Sequence, residues 1–157
     1  MKRKLVIAGL VIIGVFGITN IIWFSTVKAQ YNRYEDLVPL NKKFNVRLVQ
    51  DSEKNLIYGY DTPGYLRLTG NLFYTQKFPE EKIAYTFIIW PKPFNKEEYG
   101  VIVQEKGESY QIEITPTLDV RGKDLNDLYS KELLDKHRER LEIVLQDARK
   151  AFELKGY

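Results

Sequence analysis

Residues able to form a covalent or acid–base centre are scarce in this sequence. His137 is the single histidine, and the chain has no cysteine. A histidine titrates near neutral pH and can act as an acid, a base or a pH switch. However, His137 lies three residues after Leu134 and four before Leu141, at the margin of an apolar helical stripe. We therefore interpret it as a boundary side chain, with a packed ring and one hydrated nitrogen.

The serines also fail to form a recognisable nucleophile motif. After residue 30 they are Ser52 and Ser109, in or beside predicted turns, and Ser130, a predicted helix cap. None lies in a Gly-x-Ser-x-Gly sequence. One histidine without cysteine cannot build the usual nitrogen and sulfur zinc site, and no phosphate loop or EF-hand pattern occurs. The sequence predicts no catalytic centre, no metal and no cofactor.

Paired carboxylates remain as a second possible chemistry. Two acidic side chains that are distant in sequence can meet and hydrolyse a glycosidic bond. Because the chain has 21 acidic residues, most of them must simply be solvated. An exported hydrolase of a cell-wall polymer is therefore the alternative hypothesis. Its candidate carboxylates, in or beside predicted loops, are Asp61, Glu97, Glu98, Asp119 and Asp124.

Tyrosines supply the candidate ligand-binding residues. All 11 of them lie after residue 30. Tyr58 and Tyr60 are two residues apart in a predicted strand and so share a face, with Gly59 between them, and Tyr65 follows a turn. Aromatic faces of this kind bind a sugar ring or a peptide. Tyrosine is also an ordinary residue of half-buried sheets. We take Tyr58, Tyr60 and Tyr65 as candidate ligand-binding residues.

The elements that must position these residues start, after residue 42, with a series of predicted strands. Alternating apolar residues between turn signals predict an antiparallel meander of about five to seven strands. Tyr65, Leu66 and Leu68 are expected to start one strand, with either a hairpin turn or a bulge at Gly70. The strand over residues 82–90 is apolar on both faces, so it is expected in the middle of the sheet, covered on each side. Pro91 is expected to end it.

From residue 124 the apolar period changes from 2 to 3.6, which predicts a long amphipathic helix. Ser130 is the expected N-cap, and Gly156 is the expected left-handed stop. A short helical turn over residues 125–129 can precede this helix. The predicted fold class is α+β: an N-terminal transmembrane helix, then an antiparallel β-meander packed against a long C-terminal amphipathic helix.

The transmembrane prediction rests on residues 5–24, a run of 20 without a charge. As a helix it is about 30 Å long, which matches the hydrocarbon core of a bilayer. Three basic residues precede it, so the positive-inside rule places the N-terminus in the cytoplasm and exports the rest. Membrane lipid is thus the predicted partner of residues 5–24. The predicted membrane-interface residues are Lys2, Arg3, Lys4 and Trp23.

A cleaved signal peptide is the competing interpretation of the same segment. Cleavage after Ala29 would release a secreted protein, because Val27 and Ala29 suit a small-residue cleavage site. Both interpretations export residues 30–157. The predicted organisation is a basic start and anchor or signal peptide at 1–29, a juxtamembrane connection at 30–42 and an exported α+β domain at 43–157. Asn20 is expected either to bond to another helix in the membrane or to be hydrated near the outer interface.

Composition narrows the function classes. Four of the 24 Lys and Arg residues lie in residues 1–29, leaving 20 against 21 Asp and Glu, so the exported part has a charge of about −1. Nucleic acid is therefore not an expected partner. The absence of cysteine excludes a lipoprotein and any disulfide, and favours a bacterial surface protein. The predicted function is non-catalytic binding of an envelope protein, a peptide or a cell-wall glycan. A subunit of a membrane complex is a third hypothesis.

Overall fold

A computed structural model describes residues 2–42, 46–92, 96–122 and 127–154 of the chain. A long helix is followed by seven strands and a second helix, so the predicted class is confirmed. The elements are α1 (Lys2–Tyr31), a 3₁₀ helix (Asn32–Tyr34), β1 (Leu40–Asn41), β2 (Val46–Asp51), β3 (Leu56–Asp61), β4 (Asn71–Phe78), β5 (Ile83–Lys92), β6 (Lys96–Glu105), β7 (Glu108–Ile114) and α2 (Leu128–Ala151).

The seven strands form one antiparallel sheet whose spatial order equals the chain order. Each strand pairs with the next, and the connections from β2 to β3, from β4 to β5 and from β6 to β7 are short turns at the predicted acidic, glycine or proline signals. The β6–β7 hairpin is an example. Glu105 pairs with Glu108, and the two residues between them, Lys106 and Gly107, have φ of 53° and 87°. Two positive φ values match the right-handed twist of the flanking strands.

The segment between β3 and β4 differs from its prediction. Tyr65, Leu66 and Leu68 lie in a loop of residues 62–70, and β4 begins only at Asn71, so the connection is neither a tight hairpin turn nor a bulge. Leu66 has φ of 59°, which no strand accommodates. The reason is tertiary, because this loop packs against α1, as described below.

Strand β5 also runs further than predicted, through Pro91 to Lys92. Pro91 pairs with Glu97 of β6. Its carbonyl accepts a hydrogen bond from the Gln30 side chain. A strand residue points its N–H and C=O to the same edge, so the missing proline N–H falls on the edge that faces α1, where it interrupts no ladder.

The hydrophobic core lies between one face of the sheet and α2. That face carries large buried residues of β4 to β7, and α2 contributes an apolar stripe at helical spacing. Tyr31, Tyr34 and Val38, from the segment predicted as a juxtamembrane connection, are also buried in this core. The second face of β5 was expected to be covered as well. This expectation was wrong, since Ile88 and Trp90 on that second face are only half-buried and no described helix or strand covers them.

Helix α2 begins at Leu128, and its cap differs from the prediction. Asp127 is the N-cap, and its side chain accepts hydrogen bonds from the backbone N–H groups of Tyr129 and Ser130. Ser130 is instead buried in the first turn and donates its hydroxyl to Asp127 over 2.5 Å. A carboxylate outcompetes a hydroxyl here because it also interacts with the helix dipole. The predicted stop at Gly156 and the residues 124–126 lie outside the described residues.

Candidate functional site

Most apolar side chains of helix α1 are exposed and are not packed against the rest of the protein. From Val6 to Phe24 its large aliphatic and aromatic residues other than Trp23 are 53 to 69 % exposed. Within the described residues it is the one helix long and apolar enough to cross a membrane. Of the predicted interface residues, Arg3 and Lys4 are exposed at its start. Such a surface is stable among lipid tails and costly in water.

The C-terminal half of α1 is joined to the loop of residues 62–70. Trp23 donates its indole N–H to the Arg67 carbonyl over 2.6 Å. The Tyr65 hydroxyl donates to Asn20 Oδ1 over 2.6 Å, and the Trp23 and Tyr65 rings meet edge to face at 5.2 Å. Asn20 also donates to the Phe16 carbonyl. The Asn20 amide is therefore bonded within its own chain, an arrangement absent from both expectations for this residue.

The end of α1 continues directly into the folded domain. Tyr31 is 3 % exposed, and its hydroxyl accepts a hydrogen bond of 2.6 Å from the Gly70 N–H. Gln30 bonds to the Pro91 carbonyl at the end of β5. The helix therefore contacts the folded domain at two places, the loop before β4 and the end of β5, without a flexible linker between helix and domain.

The sheet face opposite α2 carries an apolar group that no described helix or strand covers. We call it the open face. Gly59 and Gly100 lie within it, and each is covered by an aromatic ring of the neighbouring strand. A Cβ at Gly59 would lie 2.8 Å from Cζ of Phe73, and one at Gly100 would lie 2.7 Å from the Trp90 ring. The half-buried apolar residues of the open face are Leu48, Ile57, Phe73, Ile88, Trp90 and Ile102.

Polar residues border the open face. Lys92 and Glu98 form an ion pair of 2.9 Å at the Trp90 end, and Arg121 lies 3.7 Å from the same carboxylate. Further along the face, the hydroxyls of Thr75 and Thr86 hydrogen-bond to each other over 2.9 Å. An apolar centre with a charged border is the usual anatomy of a protein interface.

His137 is more fully engaged than predicted. The residue is 6 % exposed, with Nδ1 at 2.9 Å from the Tyr85 hydroxyl and Nε2 at 3.1 Å from Glu105 Oε2. The expected hydrated nitrogen is thus wrong, because the sheet supplies partners for both ring nitrogens. The arrangement ties α2 to β5 and β6. Lys136 completes the group, with Nζ at 2.7 Å from Glu105.

Two pKa shifts accompany this group. The hydrogen bond from Lys136 is the main reason why the pKa of Glu105 is lowered, and the bond from His137 adds to it. Burial raises the pKa of Tyr85 to about 12. The carboxylate is therefore charged and the phenol neutral at physiological pH. A cleft of about 310 Å³ adjoins Glu105 and Lys136, but its wall does not include His137.

The three predicted ligand-binding tyrosines are not brought together. Tyr58 and Tyr60 share a face, as expected from their spacing, but this face is the one beneath α2. Tyr60 is 3 % exposed, and Tyr58 stacks on Tyr74 at 5.9 Å. Tyr65 lies apart from both, exposed on the loop of residues 62–70. The placement of Tyr58 and Tyr60 gives no support to ligand binding through their rings.

The candidate carboxylates do not converge on a common centre either. Glu97 and Glu98 are neighbours in β6, so they point to opposite faces of the sheet. Glu97 accepts from the Tyr99 hydroxyl and lies 3.5 Å from Arg33. Asp119 accepts from Thr117 and lies 3.8 Å from Arg138 of α2. Asp61 is exposed at the end of β3, and Asp124 lies outside the described residues.

Sequence reasoning missed the open face as a site, although its signal was present. The period-2 pattern of β5 has apolar residues on both faces. Among the described residues no group of three or more acidic, histidine or cysteine residues is suited to hold a metal ion. The chain matches no protein-family model, no curated protein and no solved structure.

Proposed function

We propose that this chain is a single-pass membrane protein whose exported domain binds another envelope protein, without catalysis, through the open face. The observation that carries the proposal is the uncovered apolar group of six half-buried residues around Phe73 and Trp90. Contiguous apolar surface residues with a charged border are characteristic of interaction surfaces.

The contacts of α1 favour a retained anchor over a cleaved signal peptide. A signal peptide leaves the mature fold, so its side chains have no structural role there. In this chain Asn20 and Trp23 bond to Tyr65 and Arg67, and Val27 packs against the core. Cleavage after Ala29 would remove all of these contacts. The basic residues before the span support a cytoplasmic N-terminus.

A protein partner suits the open face better than a glycan or a short peptide. The Phe73 and Trp90 rings lie against Gly59 and Gly100, so they fill the space that each glycine leaves open. The Thr75 and Thr86 hydroxyls already bond to each other. A sugar needs free polar groups beside an aromatic face, whereas an apolar surface is matched by the apolar surface of another protein.

Photocrosslinking in native membranes tests this function, and the cysteine-free sequence makes every introduced cysteine unique. Thr86→Cys carries benzophenone maleimide on the open face, and Glu139→Cys, exposed on α2, is the matched control. We expect a discrete protein adduct from Thr86→Cys alone. We also expect Ile88→Glu to abolish that adduct, since a carboxylate cannot be buried unpaired in an apolar interface.

Three results would contradict the proposal. They are equal adducts from both positions, an adduct that survives Ile88→Glu in a chain with unchanged circular dichroism, and an adduct that contains only glycan. Anchoring is checked separately by extraction of membranes with alkaline carbonate. A retained span stays with the lipid pellet, whereas a cleaved product appears in the supernatant.

A further inference from the structure

The loop of residues 62–70 exposes three large apolar side chains. Tyr65, Leu66 and Leu68 are 57 %, 51 % and 42 % exposed. Leu66 adopts φ of 59°, a left-handed conformation that is an outlier for a bulky residue. A concentration of exposed apolar groups on a short loop marks a surface whose natural contact is also apolar.

The position of this loop identifies that contact. Tyr65 bonds to Asn20, which lies three residues, about 4.5 Å along the helix axis, closer to the membrane centre than Trp23. At the same level Ile21 and Ile22 are 67 % and 60 % exposed. The loop therefore reaches along α1 into the section of the helix whose surface is suited to lipid.

The polar groups of the junction fit an interfacial location. An asparagine amide among acyl chains is costly unless it is hydrogen-bonded. Asn20 satisfies this condition through Phe16 and Tyr65. The exposed Arg67 side chain stands between Leu66 and Leu68 in sequence, and Lys28 is exposed two turns beyond Ile21. Cations at this height complement the phosphates of lipid headgroups.

We infer that the loop of residues 62–70 is a second membrane contact, inserted into the outer-leaflet interface beside α1. Tyr65, Leu66 and Leu68 contact acyl chains, and Arg67 contacts lipid phosphates. The inference rests on the anchoring proposed above. It explains why a loop that would be polar in a soluble domain carries apolar residues at its tip. It also gives the Tyr65–Asn20 hydrogen bond a structural role, because this bond holds the loop at a fixed depth in the membrane interface.

Fluorescent labelling of the full chain tests the inference in vesicles of phosphatidylcholine and phosphatidylglycerol. An environment-sensitive dye is attached at Leu66→Cys, with Ser52→Cys and Ile13→Cys as references. Ser52 is exposed in the β2–β3 turn, at the opposite end of β3, and Ile13 is 69 % exposed in mid-span. We expect the Leu66 label to be blue-shifted, quenched by nitroxide-labelled lipid and protected from iodide, whereas the Ser52 label is quenched by iodide.

The two reference labels distinguish failure of the loop contact from failure of the membrane anchor. If the Ile13 label is in lipid while the Leu66 label behaves like the Ser52 label, the loop contact is refuted and the anchor stands. If the Leu66 label is protected from both quenchers, the loop contacts protein, and the inference is refuted. If the Ile13 label is itself quenched by iodide, the anchoring fails, and the loop contact fails with it.

Discussion

The bond between Tyr85 and His137 allows a quantitative test of how α2 is held on the sheet. Glu105 is a carboxylate and can only accept, so His137 Nε2 donates to it. In the tautomer whose one ring proton is on Nε2, Nδ1 accepts from the Tyr85 hydroxyl, 2.9 Å away. Tyr85→Phe removes one oxygen atom from a fully buried ring. The variant leaves Nδ1 buried without a donor.

The expected cost follows from that unpaired nitrogen. A buried polar group that loses its partner costs about 1–3 kcal/mol of unfolding free energy. For a domain of this size, each kcal/mol corresponds to roughly 4 °C in Tm. Urea unfolding of the full chain in detergent, followed by near-ultraviolet circular dichroism, would measure this loss of unfolding free energy. Tyr129→Phe is the matched control, because Tyr129 is 50 % exposed, and its loss should stay within about 0.5 kcal/mol.

A double-mutant cycle with His137→Phe separates the bond from the packing of the ring. In that background the Tyr85 hydroxyl has already lost its partner, so Tyr85→Phe should be neutral or stabilising. The coupling energy should then be about 1–3 kcal/mol, within the range of contacting pairs. An equal effect of Tyr85→Phe in both backgrounds would refute the bond, and so would a loss no larger than that of Tyr129→Phe.

Two further predictions concern stability. The pKa values of Tyr74 and Tyr85 are raised to about 12 by burial, so the folded chain keeps phenol protons that the unfolded chain releases near pH 10. Stability should therefore be complete below about pH 10 and fall between about pH 10 and 12, and the tyrosinate absorbance of these buried rings should appear only as circular dichroism is lost. Gly59→Ala should lower the urea midpoint more than Gly100→Ala. A Cβ at position 59 would lie 2.4 Å from the Arg47 carbonyl oxygen, a backbone atom, whereas a Cβ at position 100 would meet the Trp90 ring, which can move.

The parts of the fold that sequence predicts are those that local periodicity determines. Alternation specifies strands such as β7, and the 3.6 period specifies α2, because each pattern places apolar groups on one face without help from distant residues. The apolar run of α1 is equally local. The loop of residues 62–70 is not, since Tyr65 and Arg67 take their positions from bonds to Asn20 and Trp23, more than forty residues away.

The candidate site was harder to predict for the same physical reason. Periodicity shows that β5 is apolar on both faces, but it does not show whether another element covers the second face. Likewise, the spacing of His137 places it beside the apolar stripe of α2. Its partners, Tyr85 and Glu105, belong to strands whose register sequence alone does not fix. Only the assembled sheet shows that both ring nitrogens are bonded.

The junction between α1 and the sheet links the anchor to the open face. Gln30 bonds to the Pro91 carbonyl, next to Trp90 at one end of that face. From Trp90 to Ala84 the strand leads about 20 Å away from this junction. A domain joined to its anchor through a buried Tyr31, with no flexible linker, cannot turn freely above the bilayer. If α1 is the anchor proposed above, the open face is held at a fixed angle to the membrane, and the proposed partner is expected to be anchored in the same membrane.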